Sequence, residues 1–329
     1  MGHGSGGRMS HDLIQRVFAA VFSNPALDQA NDSARLSLPS GRIAVTSDCH
    51  IVAPLFFPGG DIGRLAVCGT VNDVAMSGAV PLYLTAGFIL EEGLPIAVLQ
   101  RVVASMQAAA QEAGVHIVAG DTKVVEKGKA DGLFITTAGV GWLPEDRQIG
   151  GELAAAGDQV LLSGPVGQHG MAVLAARGEL GFQAEISSDV APLNSLIQDL
   201  LKAAPHTHVL RDPTRGGLAT TLNEIAVQSQ VSIRIDETAV PILPTVRTVC
   251  EMLGFDPLYV ANEGKLIAIV PPDELPAALS ALRAHPYGAQ AAHIGTVQSQ
   301  DPGRVLLRTQ IGGTRLLDKL AGEMLPRIC

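Results

Sequence analysis

The chain alternates short β-prone runs with amphipathic helix patterns, and it does so twice, on either side of a glycine-rich stretch over residues 150–157. That alternation restricts it to layered α/β architecture, with helices covering sheets. In the first half, Ser10 is placed to cap a helix in which Leu13, Ile14, Val17, Phe18, Val21 and Phe22 recur at helical spacing. Residues 43–47 read as a short strand running into Asp48. Asp61 caps a second helix with Leu65, Val71 and Val74 as its apolar positions, stopping near Gly78. Pro95 opens a third, whose stripe is Val98, Leu99, Val102, Val103 and Met106, and Gly114 ends it. Residues 115–119 then form a strand that delivers Gly120 and Asp121 to its end, and 133–140 form another. The second half offers strands at 160–162, 231–235 and 266–270, and helices near 171–176, 193–201 and 273–284. The expected division is residues 1–150, residues 151–320 and a flexible tail over 321–329.

With 47% hydrophobic residues but only 4% aromatic, the cores must be filled by Val, Leu, Ile and Ala. A net charge of −9 argues against nucleic acid or an anionic membrane as partner. No secretory leader pattern and no bilayer-length apolar stretch is apparent. Cys49, Cys68, Cys250 and Cys329 form no C-x-x-C pair, so neither a disulfide framework nor a zinc knuckle is expected. A reducing cytoplasm suits such a chain.

Asp48, Asp73 and Asp121 fall where strands or helix entries are expected to end. Carboxylates so placed suit Mg²⁺, which takes few protein oxygens and fills its remaining positions with phosphate and water, although each alone also reads as a cap or turn residue. The glycine-rich arm His3-Gly4-Ser5-Gly6-Gly7 offers backbone N–H groups with no Cβ in the way. It is neither a Walker A loop nor a dinucleotide fingerprint. Lys123, two residues beyond Asp121, is positioned to meet a phosphoryl group as a point charge. Arg211 and Arg215 flank Asp212 before a Gly-Gly step, which suits either an anion site or a salt-bridged helix entry. Glu263 precedes an apolar strand and reads either as a base or as a turn carboxylate. Cys329 is the last residue given; a thiol there can travel, with Arg327 favouring its thiolate and a terminal carboxylate opposing it.

Together these segments resemble the HypE family of [NiFe]-hydrogenase maturation factors. The resemblance is carried by His3-Gly4-Ser5-Gly6-Gly7, the stretch 54–60, Asn72-Asp73-Val74-Ala75, the stretch 87–93 and Gly120-Asp121-Thr122-Lys123-Val124-Val125. It continues through Arg211-Asp212, Thr214-Arg215-Gly216-Gly217 and Ala261-Asn262-Glu263-Gly264-Lys265 to Pro326-Arg327-Ile328-Cys329. The tetrapeptide at 326–329 is the most specific part. The glycine, aspartate and Asn-Asp segments are shared with aminoimidazole ribonucleotide synthetase, formylglycinamidine synthetase, selenophosphate synthetase and thiamine-monophosphate kinase. Cys49 departs from the small residue expected after the aspartate.

The resemblance implies a two-domain aminoimidazole ribonucleotide synthetase-like α/β (mixed α+β) fold. Its N-terminal sheet closes a barrel across a homodimer, and its C-terminal half is an α/β sandwich. It implies that the carbamoyltransferase HypF loads a carbamoyl group onto Cys329, that ATP-dependent dehydration turns the thiocarboxamide into a thiocyanate, and that the HypC–HypD complex accepts the cyanide. Asp48, Asp73 and Asp121 would hold Mg²⁺ on ATP. His3, Gly4, Ser5, Gly6, Gly7, Asn72 and Thr122 would join them in binding the nucleotide. Lys123 would stabilise the γ-phosphoryl, and Glu263 is the candidate base. Two other readings compete: a small-molecule enzyme such as a selenophosphate synthetase, disfavoured because the arm lacks the Cys and Lys such enzymes typically use, and a non-catalytic thiol carrier.

Overall fold

Asp61 begins the helix on which the first half is built. Its carboxylate accepts from the Gly63 amide at 2.7 Å and the Arg64 amide at 3.1 Å, satisfying two of the donors a helix start leaves open. The computed structural model describes residues 3, 7–29, 33–178, 185–320, 322, 325, 328 and 329. After a helical segment α1 over residues 8–22, the first half contains β1 (Arg42–His50), α2 (Ile62–Met76), β2 (Val80–Glu91), α3 (Ile96–Ala113), β3 (His116–Val125) and β4 (Leu133–Leu143). The strands form one sheet in the order β1-β4-β2-β3. β2 and β3 run parallel, as a crossover through α3 requires, while the other neighbours are antiparallel. Pro95 stands at the cap of α3, and Gly114 ends it at φ +69°.

Two strands run further than their sequence suggested. β1 continues through Asp48, opposite Thr137, to His50, opposite Ile135. β3 continues through Gly120 and Asp121 until Val125 pairs with Glu91. In both cases a long neighbouring strand keeps offering backbone partners, so the polar residues remain inside the ladder. Asp73 lies within α2. The three aspartates expected at element ends therefore all sit inside elements.

Alternation along the sheet separates two faces. Leu84, Ala86, Phe88 and Leu90 of β2 are buried under helices, with Leu133 and Ile135 of β4 beside them. The other face is the more open one among the described residues: Ile43 is 57% exposed, Val45 69% and Ile89 38%.

The second half is a seven-stranded sheet built from β5 (Gln159–Leu162), β6 (Val209–Arg211), β7 (Ser232–Asp236), β8 (Ile267–Val270), β9 (Ala292–Gln298), β10 (Val305–Arg308) and β11 (Thr314–Leu316). Their spatial order is β11-β10-β7-β9-β5-β8-β6. The helices of this half are α4 (Gln168–Ala176), α5 (Asn194–Ala203), α6 (Gly217–Gln228), α7 (Pro244–Leu253) and α8 (Leu275–Ala284). Leu196, Ile197 and Leu200 of α5 and Leu282 of α8 pack on Leu161, Ala268 and Val270. Leu218, Leu222 and Ile225 of α6 pack on the opposite face against Val160, Ile267 and Ile269. Met171 and Val173 of α4 and Val246 and Val249 of α7 instead join the core of the first half. The two halves thus share one apolar core, and α2, apolar nearly all round, is buried where they meet.

Candidate active site

Asp48 from β1 and Asp73 from α2 come together at the junction of the halves, joined by Asp212 from the loop after β6. Thr46 donates to Asp73 at 3.0 Å and Thr70 donates to Asp48 at 3.2 Å. Burial, with the neighbouring charges of Asp212 and Asp48, pushes the Asp73 carboxyl up to about 7. Burial raises Asp212 to about 6, although Arg211 and a backbone hydrogen bond pull it back. Arg211 offsets only part of this crowding, and a bound cation would relieve the rest.

Asp73 and Asp212 line a cleft of about 490 Å³ together with Arg211, Thr214 and Arg215. Arg211 is committed to Glu224 on α6 at 2.6 Å, so of the two expected readings of this loop its side chain takes the salt-bridged helix entry. The Gly-Gly step is structural: a β-carbon on Gly217, at φ +61°, would lie 2.6 Å from the Leu258 carbonyl oxygen.

Glu263 is buried beside this cluster, 4% exposed. Burial and the charges of Asp212, Asp189, Asp48 and Asp73 hold its carboxyl well above the usual range. Its backbone amide and that of Gly264 donate to the two carboxylate oxygens of Asp189, which also meets Lys265 Nζ at 3.3 Å. Across Gly69 of α2 lies His50. A β-carbon on Gly69 would sit 3.2 Å from His50 Cε1 and 4.0 Å from Glu263 Oε2. His50 is buried; burial and Arg215 lower its pKa to about 4 despite the opposing pull of Asp48. Its Nε2 contacts Thr137 Oγ1, which bonds Thr70, which bonds Asp48, giving a continuous buried chain from the acidic cluster to the imidazole.

The tail is docked here. The Ile51 amide donates to the Cys329 carbonyl at 3.2 Å, and Val52 and Ile328 form an antiparallel bridge. Leu325 and Ile328 are buried in the shared core, with Cys329 packed against it. The tail was expected to be flexible; two buried apolar anchors and a backbone bridge hold these residues instead. Pro326 and Arg327 lie outside the described residues.

The remaining expected site residues collect at the other edge of the sheet. Asp121 pairs with Gly87, Gly87 with Thr136, and Thr136 with Cys49, the neighbour of Asp48. Three strand spacings, about 14 Å, separate them. Within one subunit the expected Asp48–Asp73–Asp121 trio is not assembled, and among the described residues no three His, Cys, Asp or Glu side chains converge as a metal cage. Asp121 and Lys123 are exposed, with Lys123 Nζ 3.4 Å from Asp121 Oδ2. The Thr122 amide donates to Asp121. Gly7 precedes α1, and His3 lines a cavity with Glu91, Leu94 and Val124 at the same edge. Gly4, Ser5 and Gly6 lie outside the described residues. Asn72 is a staple: buried in α2, it donates to the Ala191 carbonyl at 3.0 Å and accepts from the Leu193 amide at 2.7 Å. Sequence reasoning passed over His50, His169, Asp189 and the carboxylate of Asp212. The position of His50 two residues beyond Asp48 was the one signal available for it.

Sheet, sandwich and junctional acidic cluster define the aminoimidazole ribonucleotide (AIR) synthase related class: the N-terminal domain of AIR synthase related protein matches residues 30–143, and its C-terminal domain matches residues 155–308. Carbamoyl dehydratase HypE of Azotobacter vinelandii is 56% identical over 329 residues, spanning 100% of this chain and 96% of that protein. A crystal structure of hydrogenase maturation protein HypE in complex with ATP superposes with TM-score 0.96 at 54% identity, covering 100% of this chain and 99% of that one. The HypE-HypF complex superposes with TM-score 0.82 at 50% identity, covering 94% and 99%. The chain belongs to the HypE family of AIR synthase related proteins.

Proposed function

We infer that this protein is an ATP-dependent carbamoyl dehydratase serving hydrogenase maturation, with Cys329 as the covalent carrier. The observation that carries the reading is the docking of the tail on the segment that follows His50, where the Ile51 amide donates to the Cys329 carbonyl, while His50 and Glu263 both approach Gly69. The dehydration R–S–C(=O)–NH₂ + ATP → R–S–C≡N + ADP + phosphate moves the carbonyl oxygen to phosphate and removes both nitrogen protons. An amide oxygen is a poor leaving group until it is phosphorylated, and a base must then take the nitrogen proton. Glu263 is the base in this reading: burial and the surrounding aspartates hold its carboxyl well above the usual carboxylate range, which makes its carboxylate a stronger proton acceptor.

ATP would bind over the junction, with Asp48, Asp73 and Asp121 the residues that would hold Mg²⁺ and Lys123 the cation that would stabilise charge on the γ-phosphoryl. The donor set fits: hard oxygen ligands, with burial and the neighbouring Asp212 and Asp48 raising the Asp73 carboxyl where a cation would relieve it. Mg²⁺ would polarise the phosphate oxygens and neutralise their charge. The separation of the residues supports a homodimer in which the Asp121–Lys123 edge of one subunit serves the Asp48–Asp73 edge of its partner. The more open face carrying Ile43, Val45 and Ile89 would be buried by the same association. HypF supplies the carbamoyl group and HypC–HypD receives the cyanide. No helix among the described residues is long and apolar enough to cross a membrane, and we place the protein in the cytoplasm.

Intact-mass analysis tests the reading. Incubated with ATP and the carbamoyltransferase system, the protein gains a carbamoyl group on Cys329 and then loses one water. Loss of water without ATP, or an adduct on another cysteine, would overturn it.

A further inference from the structure

His169, the second residue of α4, is fully buried, and both of its ring nitrogens are engaged. Nε2 lies 2.5 Å from the Ile328 carbonyl oxygen, and Nδ1 lies 2.8 Å from Ser188 Oγ. A carbonyl only accepts, so Nε2 carries the hydrogen and Nδ1 accepts from the Ser188 hydroxyl. Burial lowers the pKa of the ring and keeps it in this one-donor, one-acceptor form. The ring is held edge-on by Phe57, with centroids 5.4 Å apart and planes at 85°. Ser188 is anchored in turn: its amide donates to the Pro58 carbonyl at 2.8 Å, and its Oγ accepts from the Val190 amide at 3.1 Å.

The next residue, Asp189, holds the backbone of Glu263 and Gly264. Gly170, next to His169, donates its amide to the Ala261 carbonyl at 3.1 Å, and a β-carbon there would lie 3.3 Å from Leu325 Cδ1 of the tail. Two adjacent pairs, His169-Gly170 and Ser188-Asp189, therefore touch both the tail and the loop that carries Glu263. We propose that His169 and Ser188 form a latch that grips the tail by the Ile328 carbonyl and sets Cys329 in register with Glu263. His169 acts through the backbone next to the carrier cysteine and is a positioning residue. Because the grip is on a carbonyl, it holds whether or not the thiol is loaded, and opening it frees the tail to visit a partner.

Alkylation of full-length protein by iodoacetamide, read by mass on the C-terminal peptide, measures how often the latch opens. His169→Ala removes the donor and raises the alkylation rate of Cys329 about tenfold, the order of one buried hydrogen bond. His169→Gln places an amide N–H near the position of Nε2 and restores most of the protection. Ser188→Ala leaves the ring but removes its support, giving a smaller rise. Buried Cys68 and Cys250 stay protected in every variant, which separates an open latch from an unfolded chain. In carbamoylated protein, single-turnover loss of water slows in His169→Ala and recovers in His169→Gln. Only this last readout rests on the dehydratase reading; the alkylation arm stands if that reading fails. Parental Cys329 reactivity in both His169→Ala and Ser188→Ala overturns the latch.

Discussion

His50 and Glu263 face one another across Gly69, whose missing β-carbon leaves the space between them: an added carbon would come within 3.2 Å of the imidazole and 4.0 Å of the carboxylate. Gly69 is in the middle of α2 with ordinary helical geometry, so glycine there carries a helix-propensity cost of roughly 1 kcal/mol. The tail bridges the chain just beyond His50, where Ile51 donates to the Cys329 carbonyl and Val52 pairs with Ile328.

Gly69→Ala should therefore separate stability from activity. Alanine removes the helix-propensity cost of glycine while the 3.2 Å approach to His50 works against it, so the melting temperature stays near the parental value. The added methyl presses on His50 and narrows the space beside Glu263, and dehydration in single turnover falls by about tenfold or more. A large loss of stability with unchanged activity would show that Gly69 is needed for packing instead.

Glu263→Gln keeps side-chain size and removes the proton acceptor. ATP and the carbamoylated tail still bind, while loss of water becomes very slow. Stability supplies a second test. The folded-state pKa of Glu263 lies above its unfolded value, so its favourable contribution is complete at low pH and is lost as pH rises through the folded pKa. Glu263→Gln should accordingly flatten the decline in chemical-denaturation stability as pH rises above the ordinary carboxylate range. An unaltered pH profile together with a normal dehydration rate would return Glu263 to the role of turn carboxylate.

Lys123→Ala slows single-turnover dehydration by roughly 10²-fold, the order for one lost electrostatic donor. Because Lys123 and Asp73 sit at opposite edges of the sheet, mixing inactive Lys123→Ala with inactive Asp73→Asn should restore activity. Random pairing makes half the dimers mixed, each with one intact site of two, so about a quarter of parental activity returns. No recovery after subunits have demonstrably exchanged would argue for sites contained within single chains.

Asp73→Asn should weaken nucleotide binding more in Mg²⁺ than in EDTA, as titration calorimetry in the two buffers will show. Removing a metal ligand matters only when the metal is present. Equal losses in both would make Asp73 a structural aspartate.

Cys329→Ala abolishes the carbamoyl adduct and leaves ATP affinity intact, read by intact mass and by calorimetry. The other cysteines are poor substitutes. Burial pushes the Cys68 thiol up to about 12 and Cys250 to about 11, and Cys49 lies on the more open sheet face.

Local chemistry decided much of this fold in advance. Asp61 and Gly114 act within a turn of their own backbone, so the helix boundaries they set were legible one residue at a time. The aliphatic stripes named the core of α3, and the motifs around Asp73, Glu263 and Cys329 pointed to the family. Strand ends were less legible, since β1 and β3 stop where β4 and β2 cease to pair, and those partners are distant in sequence. The tertiary structure alone decided which functional groups meet. It brought Asp48, Asp73, Asp212, Glu263 and the tail to one edge and left Asp121 and Lys123 at the other. It made His169 a tail contact across 159 residues of chain. A carboxylate or an imidazole looks the same in sequence whatever lies opposite, and its partner, burial and pKa come from contacts that form only when distant segments pack.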